Sequence, residues 1–148
     1  MKKVLTIEYS QTGQLSSIVS SIVQPLKDAD YISLQSIELE PVDPFPFPWN
    51  FFEFLDVFPE CVSLDPPELK PFPVASIRDV DLVILAYQVW FLSPSPPICA
   101  FLKSESGRCL LKNKPVVTVI GCRNMWIMAQ ETVKRLLTQA EARLIDNI

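Results

Sequence analysis

The sequence predicts one α/β domain built on a parallel β-sheet. Residues 4–9, 81–87 and 114–120 are apolar runs of strand length, and the last two are almost uninterrupted, as in strands buried on both faces of a parallel sheet. Each run is followed by a loop and then by apolar residues at helical spacing. Repeated strand–loop–helix units imply right-handed crossovers, with helices on both faces of the sheet.

The composition fits a globular domain and restricts its partners. The chain has 148 residues, of which 49% are hydrophobic, and a formal net charge of −4. This length is sufficient for one domain with its own core, spanning residues 1–148. The negative charge argues against nucleic acid as a partner, and no apolar run approaches the length of a membrane span.

The residue types also restrict the chemistry. Residues 1–3 lead directly into a strand, which is not the pattern of a signal peptide. Four scattered cysteines without C-x-x-C pairing suit a reducing environment, so we expect a cytoplasmic protein. The sequence has no histidine, which removes Ser-His-Asp catalysis and His-ligated metals, and no metal site is expected. If the protein is an enzyme, a cofactor is expected to carry the chemistry.

The first loop has the features of a phosphate-binding turn. It consists of Ser10, Gln11, Thr12, Gly13, Gln14 and Leu15. It lies between a strand and a helix start, where unpaired backbone N–H groups and the helix dipole favour an anion. The lysine of a P-loop and the glycine pattern of a dinucleotide fingerprint are absent, which favours a phosphate monoester. The alternative is that Thr12 is only the N-cap of the helix.

The next elements are a helix, an edge strand and an irregular segment. Apolar residues at helical spacing predict a helix over 15–26, and alternation over 31–40 predicts a strand at the sheet edge. Residues 41–73 break the pattern, because nine of the 14 prolines lie there among many aromatic residues. A short helix over about 49–58 fits between the prolines. The rings either cover the sheet, which is the commoner outcome, or form a wall for an aromatic substrate or a partner.

Two further loops follow the remaining strands. After the strand at 81–87 come Gln88, Val89, Trp90 and Phe91, and then a helix at 97–103 with proline at its start. After the strand at 114–120 come Gly121, Cys122, Arg123 and Asn124, and then a final helix. Residues 143–148 look like the beginning of another strand. Because ligands bind at the carboxyl ends of parallel strands, we expect the three loops to meet around one site.

These loops resemble those of the flavodoxin-like superfamily. Residues 10–14 (SQTGQ) are similar to its T/S-x-T-G-x loop, which holds the phosphate of flavin mononucleotide (FMN). Residues 87–93 resemble the loop after the third strand in flavodoxin-like NAD(P)H:quinone reductases, and residues 121–124 occupy the place of the second loop at the flavin ring. The resemblance covers most of the chain except residues 41–73. A narrower similarity is to a bacterial flavodoxin-like group labelled dialkylresorcinol condensing enzyme.

The resemblance implies a three-layer αβα sandwich with bound FMN. The phosphate would lie on residues 10–15, and the ring between the second and third loops. Trp90 is the best candidate for ring contact, with a core position under the proline-rich segment as the alternative. Cys122 would touch the ring edge through its backbone. The implied activity passes electrons from NAD(P)H to a quinone-like or other aromatic small molecule. The alternatives are an electron-transfer flavoprotein without its own substrate and a non-catalytic interaction module.

The chain departs from the family pattern in three ways. Leu15 stands where many flavodoxins have another hydroxyl residue, and the acidic loop of electron-transfer flavodoxins is not visible. The fifth strand and last helix of the family are missing, so the expected strand order is 2-1-3-4. The fourth strand would then be an open edge that favours pairing with another chain, and a homodimer is one expectation.

Overall fold

The computed structural model describes residues 1–74, 77 and 79–148. Its strands are β1 (Lys2–Glu8), β2 (Ile32–Glu38), β3 (Leu82–Trp90), β4 (Ser93–Pro94), β5 (Pro115–Gly121) and β6 (Arg143–Asn147). Its helices are α1 (Gln14–Lys27), α2 (Phe51–Asp56), α3 (Phe58–Ser63), α4 (Pro96–Lys103), α5 (Glu105–Leu111) and α6 (Ile127–Gln139). The predicted strands and helices are present, except that two short helices, α2 and α3, replace the single helix predicted over about 49–58; α5 and the short strand β4 were not predicted.

The main sheet is parallel and has the order β2-β1-β3-β5-β6. β1 pairs with β2 on one side and with β3 on the other, so the chain changes direction across the sheet at β1. β4 instead pairs antiparallel with the end of β3. Helices lie on both faces, which confirms the predicted α/β sandwich.

One detail of the predicted sheet is wrong, because a fifth strand is present. β6 pairs in parallel with β5 from Arg143 to Asn147, with a register shift between Val116 and Val117. Ile148 extends the pairing through hydrogen bonds with Thr118 and Ile120. Five residues are a normal strand length, so residues 143–147 form a whole strand and not only the beginning of one. β5 is therefore paired on both sides and is not an open edge that could pair with a second chain.

The core is divided between the two faces of the sheet. α1 packs on one face, where Leu15, Val19 and Val23 join Val4 and Ile84. On the other face α4, α5 and α6 cover a larger cluster that contains the alternate residues of β1 and β3. The two faces together fix the carboxyl ends of β1, β3 and β5 at one edge.

The proline-rich segment is partly helical. It contains α2 and α3 in place of the one predicted helix, and α2 begins with a capping box between Asn50 and Glu53. Phe45 and Phe72 pack against the main core, whereas Phe47 and Phe52 are 64% and 80% exposed. The rings thus cover the sheet only in part. Within the described ranges, no helix is long and apolar enough to span a membrane, and no group of ligating side chains could hold a metal ion.

Candidate functional site

The three predicted loops meet at the carboxyl edge of the sheet. They enclose a cavity of about 300 Å³, here called the loop cavity. It is lined by Gln14, Leu15, Ile18, Gln88, Val89, Trp90, Gly121, Cys122 and Arg123. Each loop contributes at least two residues, and the cavity lies where β1 separates the two halves of the sheet. This is the position at which open α/β sheets bind ligands.

The start of α1 has no side-chain cap. The N-cap residue is Gly13, with φ +82°, and it has no side chain that could accept a hydrogen bond from the first turn. Thr12 is exposed and does not cap the helix, so the alternative that made it a plain N-cap is wrong. The first backbone N–H groups of a helix have no partner within the helix. Without a capping side chain, the first turn of α1 leaves these donors and the positive end of the helix dipole for an external anion.

A close contact between Leu15 and Gly121 forms the floor of the loop cavity. Leu15 is only 1% exposed and belongs to the core on the α1 face. A Cβ atom added to Gly121 would lie 3.1 Å from Leu15 Cδ1 and 3.6 Å from the carbonyl oxygen of Tyr87. Glycine therefore allows the third loop to approach the first one closely. Leu15 acts here as an apolar floor and offers no hydroxyl group to a phosphate.

Gln11 ties the first loop to its surroundings. Its backbone N–H donates to Gln88 Oε1 at 3.3 Å, and its Nε2 donates to the carbonyl oxygens of Phe45 and Pro46 at 3.1 and 3.3 Å. The Tyr9 hydroxyl donates to Gln11 Oε1. The backbone N–H and the amide group of Gln11 are thus all engaged. Gln11 serves as a clamp between the first loop, β3 and the proline-rich segment.

Trp90 lies at the centre of an aromatic cluster. It is half-buried and makes edge-to-face contacts with Tyr9, Phe45 and Trp49, with ring centroids 5.9, 5.2 and 5.0 Å apart. This agrees with the predicted position under the proline-rich segment, and Trp90 also faces the loop cavity. Both interpretations of this ring therefore have geometric support.

A second, smaller cavity adjoins the first. It measures about 220 Å³ and is lined by Gln11, Thr12, Phe47, Trp49, Gln88 and Trp90. Gln88 and Trp90 line both cavities, so the two spaces share a wall. Sequence reasoning did not assign Phe47, Trp49 or Ile18 to the site. The aromatic content of residues 41–73 was the signal for the first two, and nothing in the sequence marked Ile18.

The remaining predicted site residues lie outside both cavities. Phe91 turns away and packs against Phe54 and Phe58, with centroids 4.7 and 5.1 Å apart. Asn124 is exposed and lines neither cavity. The Ser10 hydroxyl is buried and has no hydrogen-bond partner among the described residues. An unpaired buried hydroxyl is costly, and a ligand oxygen in the first loop would satisfy it.

Glu8 is a charged residue near the site that the predictions omitted. It ends β1 and is paired in register with Glu38 of β2. Burial raises the pKa of the Glu8 carboxyl, the neighbouring hydroxyl of Ser16 in the first turn of α1 lowers it, and the charge of Glu38 raises it. The sequence signal was a carboxylate at the end of β1, directly before the first loop. Arg123 is the cation that lines the loop cavity among the described residues.

Comparison with known proteins identifies the fold. No protein-family model matches the chain, and no curated protein sequence matches it. Among solved structures, a flavoprotein in complex with FMN from Lactobacillus acidophilus NCFM is 17% identical, with a TM-score of 0.74 and coverage of 99% of this chain and 92% of that chain. A WrbA-like flavodoxin from Agrobacterium tumefaciens is 10% identical, with a TM-score of 0.62 and coverage of 98% and 77%. The two-electron reduced flavodoxin of Megasphaera elsdenii is 14% identical, with a TM-score of 0.59 and coverage of 97% and 82%.

The strand order agrees with these similarities. A parallel sheet of order β2-β1-β3-β5-β6, with the candidate site at the ends of β1, β3 and β5, is the flavodoxin-like arrangement once the two-residue strand β4 is set aside. The chain therefore has the flavodoxin-like fold.

Proposed function

We propose that the chain is an FMN-binding flavoprotein that transfers electrons. The observation that carries the proposal is the uncapped start of α1 beside a cavity lined by all three strand-end loops. A phosphate monoester matches the free N–H groups and the unpaired Ser10 hydroxyl. An aromatic ring system matches the space beside Trp90 in the loop cavity. The FMN held by the Lactobacillus acidophilus neighbour has both chemical parts.

The residues of the chain have distinct roles in this proposal. Residues 12–16 bind the phosphate through backbone N–H groups, with Ser10 and Thr12 adding hydroxyl donors. Trp90 and Val89 form one wall for the ring, and residues 121–123 form the other. Bound flavin would supply the redox chemistry. The protein positions the ring and excludes water from it.

We further propose that NAD(P)H is the electron donor and that a quinone-like or other aromatic small molecule is the acceptor. The smaller cavity supports the aromatic acceptor, because its wall of Phe47, Trp49 and Trp90 suits a flat apolar molecule. The main alternative is an electron-transfer flavoprotein that docks to a protein partner. The third hypothesis is a non-catalytic module. An incomplete sheet without a fifth strand would favour it, but β6 is present and pairs with β5.

A flavin titration tests the proposal. FMN added to the purified protein should lose its fluorescence at one equivalent, and the visible spectrum should shift. Riboflavin has the same ring but no phosphate, so it should bind much more weakly if the start of α1 holds the phosphate. Protein that takes up no FMN would overturn the proposal. Steady oxidation of NADH or NADPH with the quinone menadione would favour the enzyme, whereas reduction only by a protein donor would favour the electron-transfer alternative.

A further inference from the structure

A separate apolar cavity lies on the far side of the turn after β3. It measures about 540 Å³, which is within the range of small-molecule sites. Its apolar wall consists of Phe58, Val62, Leu64, Phe91, Leu92 and Met128. It shares no lining residue with the loop cavity or with the smaller aromatic cavity. A ligand bound here would therefore occupy a different space from the proposed flavin.

Among the residues that the structure describes, the cavity has few polar groups, and its single charged group is positive. They are Ser93, Thr132 and Arg135, and no carboxylate lines the cavity among the described residues. Arg135 also has no hydrogen bond or ion pair in the described part of the chain, whereas its neighbour Lys134 pairs with Glu131 at 3.4 Å. A guanidinium group is shaped to hold a carboxylate through two parallel hydrogen bonds. An apolar wall with one free guanidinium group is complementary to an apolar molecule that carries one carboxylate.

The turn that presents two of the apolar residues is an unusual one. Trp90 pairs with Ser93, so Phe91 and Leu92 form a two-residue hairpin loop. Their φ angles are +50° and +63°, the left-handed conformation that such loops usually reserve for Asn and Gly. Bulky residues are unfavourable there. Phe91 has a structural use, because it packs between Phe54 and Phe58, but Leu92 remains 45% exposed at the cavity. The fold thus places the apolar side chain of Leu92 in the lining of the cavity, although its left-handed backbone conformation is unfavourable for leucine.

We propose that this cavity is a second binding site, for a small amphipathic carboxylate of the medium-chain fatty-acid class. The hydrocarbon body lies against Phe58, Leu92 and Met128, and the carboxylate lies on Arg135. Ser93 and Thr132 offer hydroxyl groups beside it.

Calorimetric titration of the full chain with octanoate, with octanol as the uncharged counterpart, tests the proposal. Octanoate should bind one site, and octanol should bind about tenfold or more weakly, because it lacks the charge-assisted hydrogen bonds. Arg135→Gln should weaken octanoate by about the same factor and leave octanol unchanged. Lys134→Gln removes the same charge one residue away, outside the cavity lining, and should change neither. Saturation with FMN should not alter octanoate binding.

Several outcomes would overturn the proposal. They are the absence of saturable octanoate binding, equal binding of octanoate and octanol, and unchanged octanoate binding by Arg135→Gln. Competition between octanoate and FMN would place octanoate in the flavin site instead. If light scattering finds a dimer that Leu92→Glu dissociates, the cavity is an interface between two copies. The octanoate and octanol comparison uses the unaltered chain, so it does not depend on the folding of any variant.

Discussion

The side-chain carbonyl of Gln88 accepts a hydrogen bond from the backbone N–H of Gln11, across 77 positions of sequence and 3.3 Å of space. This bond holds the first loop against the end of β3. It joins the segment that we assign to the phosphate with the segment that we assign to the ring.

Gln88→Leu should loosen that connection. The Gln11 N–H would lose its acceptor in a partly buried position, at a cost of about 1–3 kcal/mol. We expect weaker FMN binding, measured by fluorescence quenching, together with a lower free energy of unfolding in urea. Gln139→Leu alters an exposed glutamine near the end of α6 and is the matched control. If Gln88→Leu binds FMN with unchanged affinity, the hydrogen bond between Gln11 and Gln88 does not contribute to FMN binding.

Thr12→Ala tests the phosphate contact. Because Thr12 is exposed and caps nothing in α1, its removal should leave thermal stability of the FMN-free protein nearly unchanged. If its hydroxyl binds the phosphate, FMN affinity should fall by about 1.5–3 kcal/mol, the value of a hydrogen bond to a charged group. Riboflavin affinity should not change. Ser20→Ala, on the exposed face of α1, removes a hydroxyl away from the loop and should affect neither ligand. Equal FMN affinity of Thr12→Ala and the unaltered protein would remove Thr12 from the site.

Gly121→Ala tests the floor of the loop cavity. The new methyl group would meet Leu15 Cδ1 at 3.1 Å, which is tighter than normal contact. Leu15 is fully buried, so relief requires repacking of the α1 face and an overpacking cost of about 1–3 kcal/mol. We expect a lower Tm and weaker FMN binding. Combining Gly121→Ala with Leu15→Val should recover part of both losses. No recovery in the double variant would mean that the strain arises elsewhere, for example at the Tyr87 carbonyl.

Trp90→Ala separates the two roles of the central ring. Loss of its contacts with three rings should lower the free energy of unfolding by about 3 kcal/mol. If the ring also lies against the flavin, the visible spectrum of bound FMN should change. Trp90→Phe should retain most of the stability and alter the spectrum less. Trp126→Ala, which removes a tryptophan outside the cluster, should leave the spectrum as it is. A less stable Trp90→Ala protein with an unaltered flavin spectrum would leave Trp90 with only its packing role.

Glu8 should make stability depend on pH. Burial raises the pKa of its carboxyl above the ordinary value of 4.5, so the folded chain holds this proton more tightly than the unfolded chain does. The contribution to stability is fully present below pH 4.5 and is lost as pH rises through the raised pKa. Glu8→Gln should therefore be more stable than the unaltered protein at neutral pH. The difference between them should shrink as the pH is lowered.

Urea unfolding between pH 4 and pH 8 measures this difference. Glu68→Gln, at an exposed position, is the control. A difference between Glu8→Gln and the unaltered protein that stays constant with pH would show that packing, and not titration, is responsible.

The sequence predicted the strands and the meeting of the three loops because both depend on local patterns. Apolar runs such as residues 82–87 identify buried strands, and parallel pairing brings their carboxyl ends together. The direction of Phe91 could not be predicted, because it depends on the left-handed turn that follows Trp90. The contact between Trp49 and Trp90 joins positions 41 residues apart through a segment rich in proline, for which no periodic pattern exists.

The edge of the sheet was misjudged for a related reason. Residues 143–147 carry Arg, Asp and Asn, and four of the five are exposed, so hydrophobicity alone does not identify them as a strand. Their pairing is specified by the backbone hydrogen bonds of β5. A hydrophobic pattern identifies strands whose side chains are buried. It does not identify a strand such as β6, which is held mainly by backbone hydrogen bonds.

The uncapped start of α1 would make the helix a reporter of the proposed phosphate ligand. The first backbone N–H groups of α1, such as those of Gln14 and Ser16, have no acceptor within the helix, so an anion that accepted their hydrogen bonds would slow the exchange of these amide hydrogens. Hydrogen–deuterium exchange would thus detect ligand binding as slower deuterium uptake at the amides in the first turn of α1. A ligand that binds only the folded chain also adds its binding free energy to folding. If FMN binds as proposed, a higher FMN concentration would therefore shift the folding equilibrium further towards the folded chain.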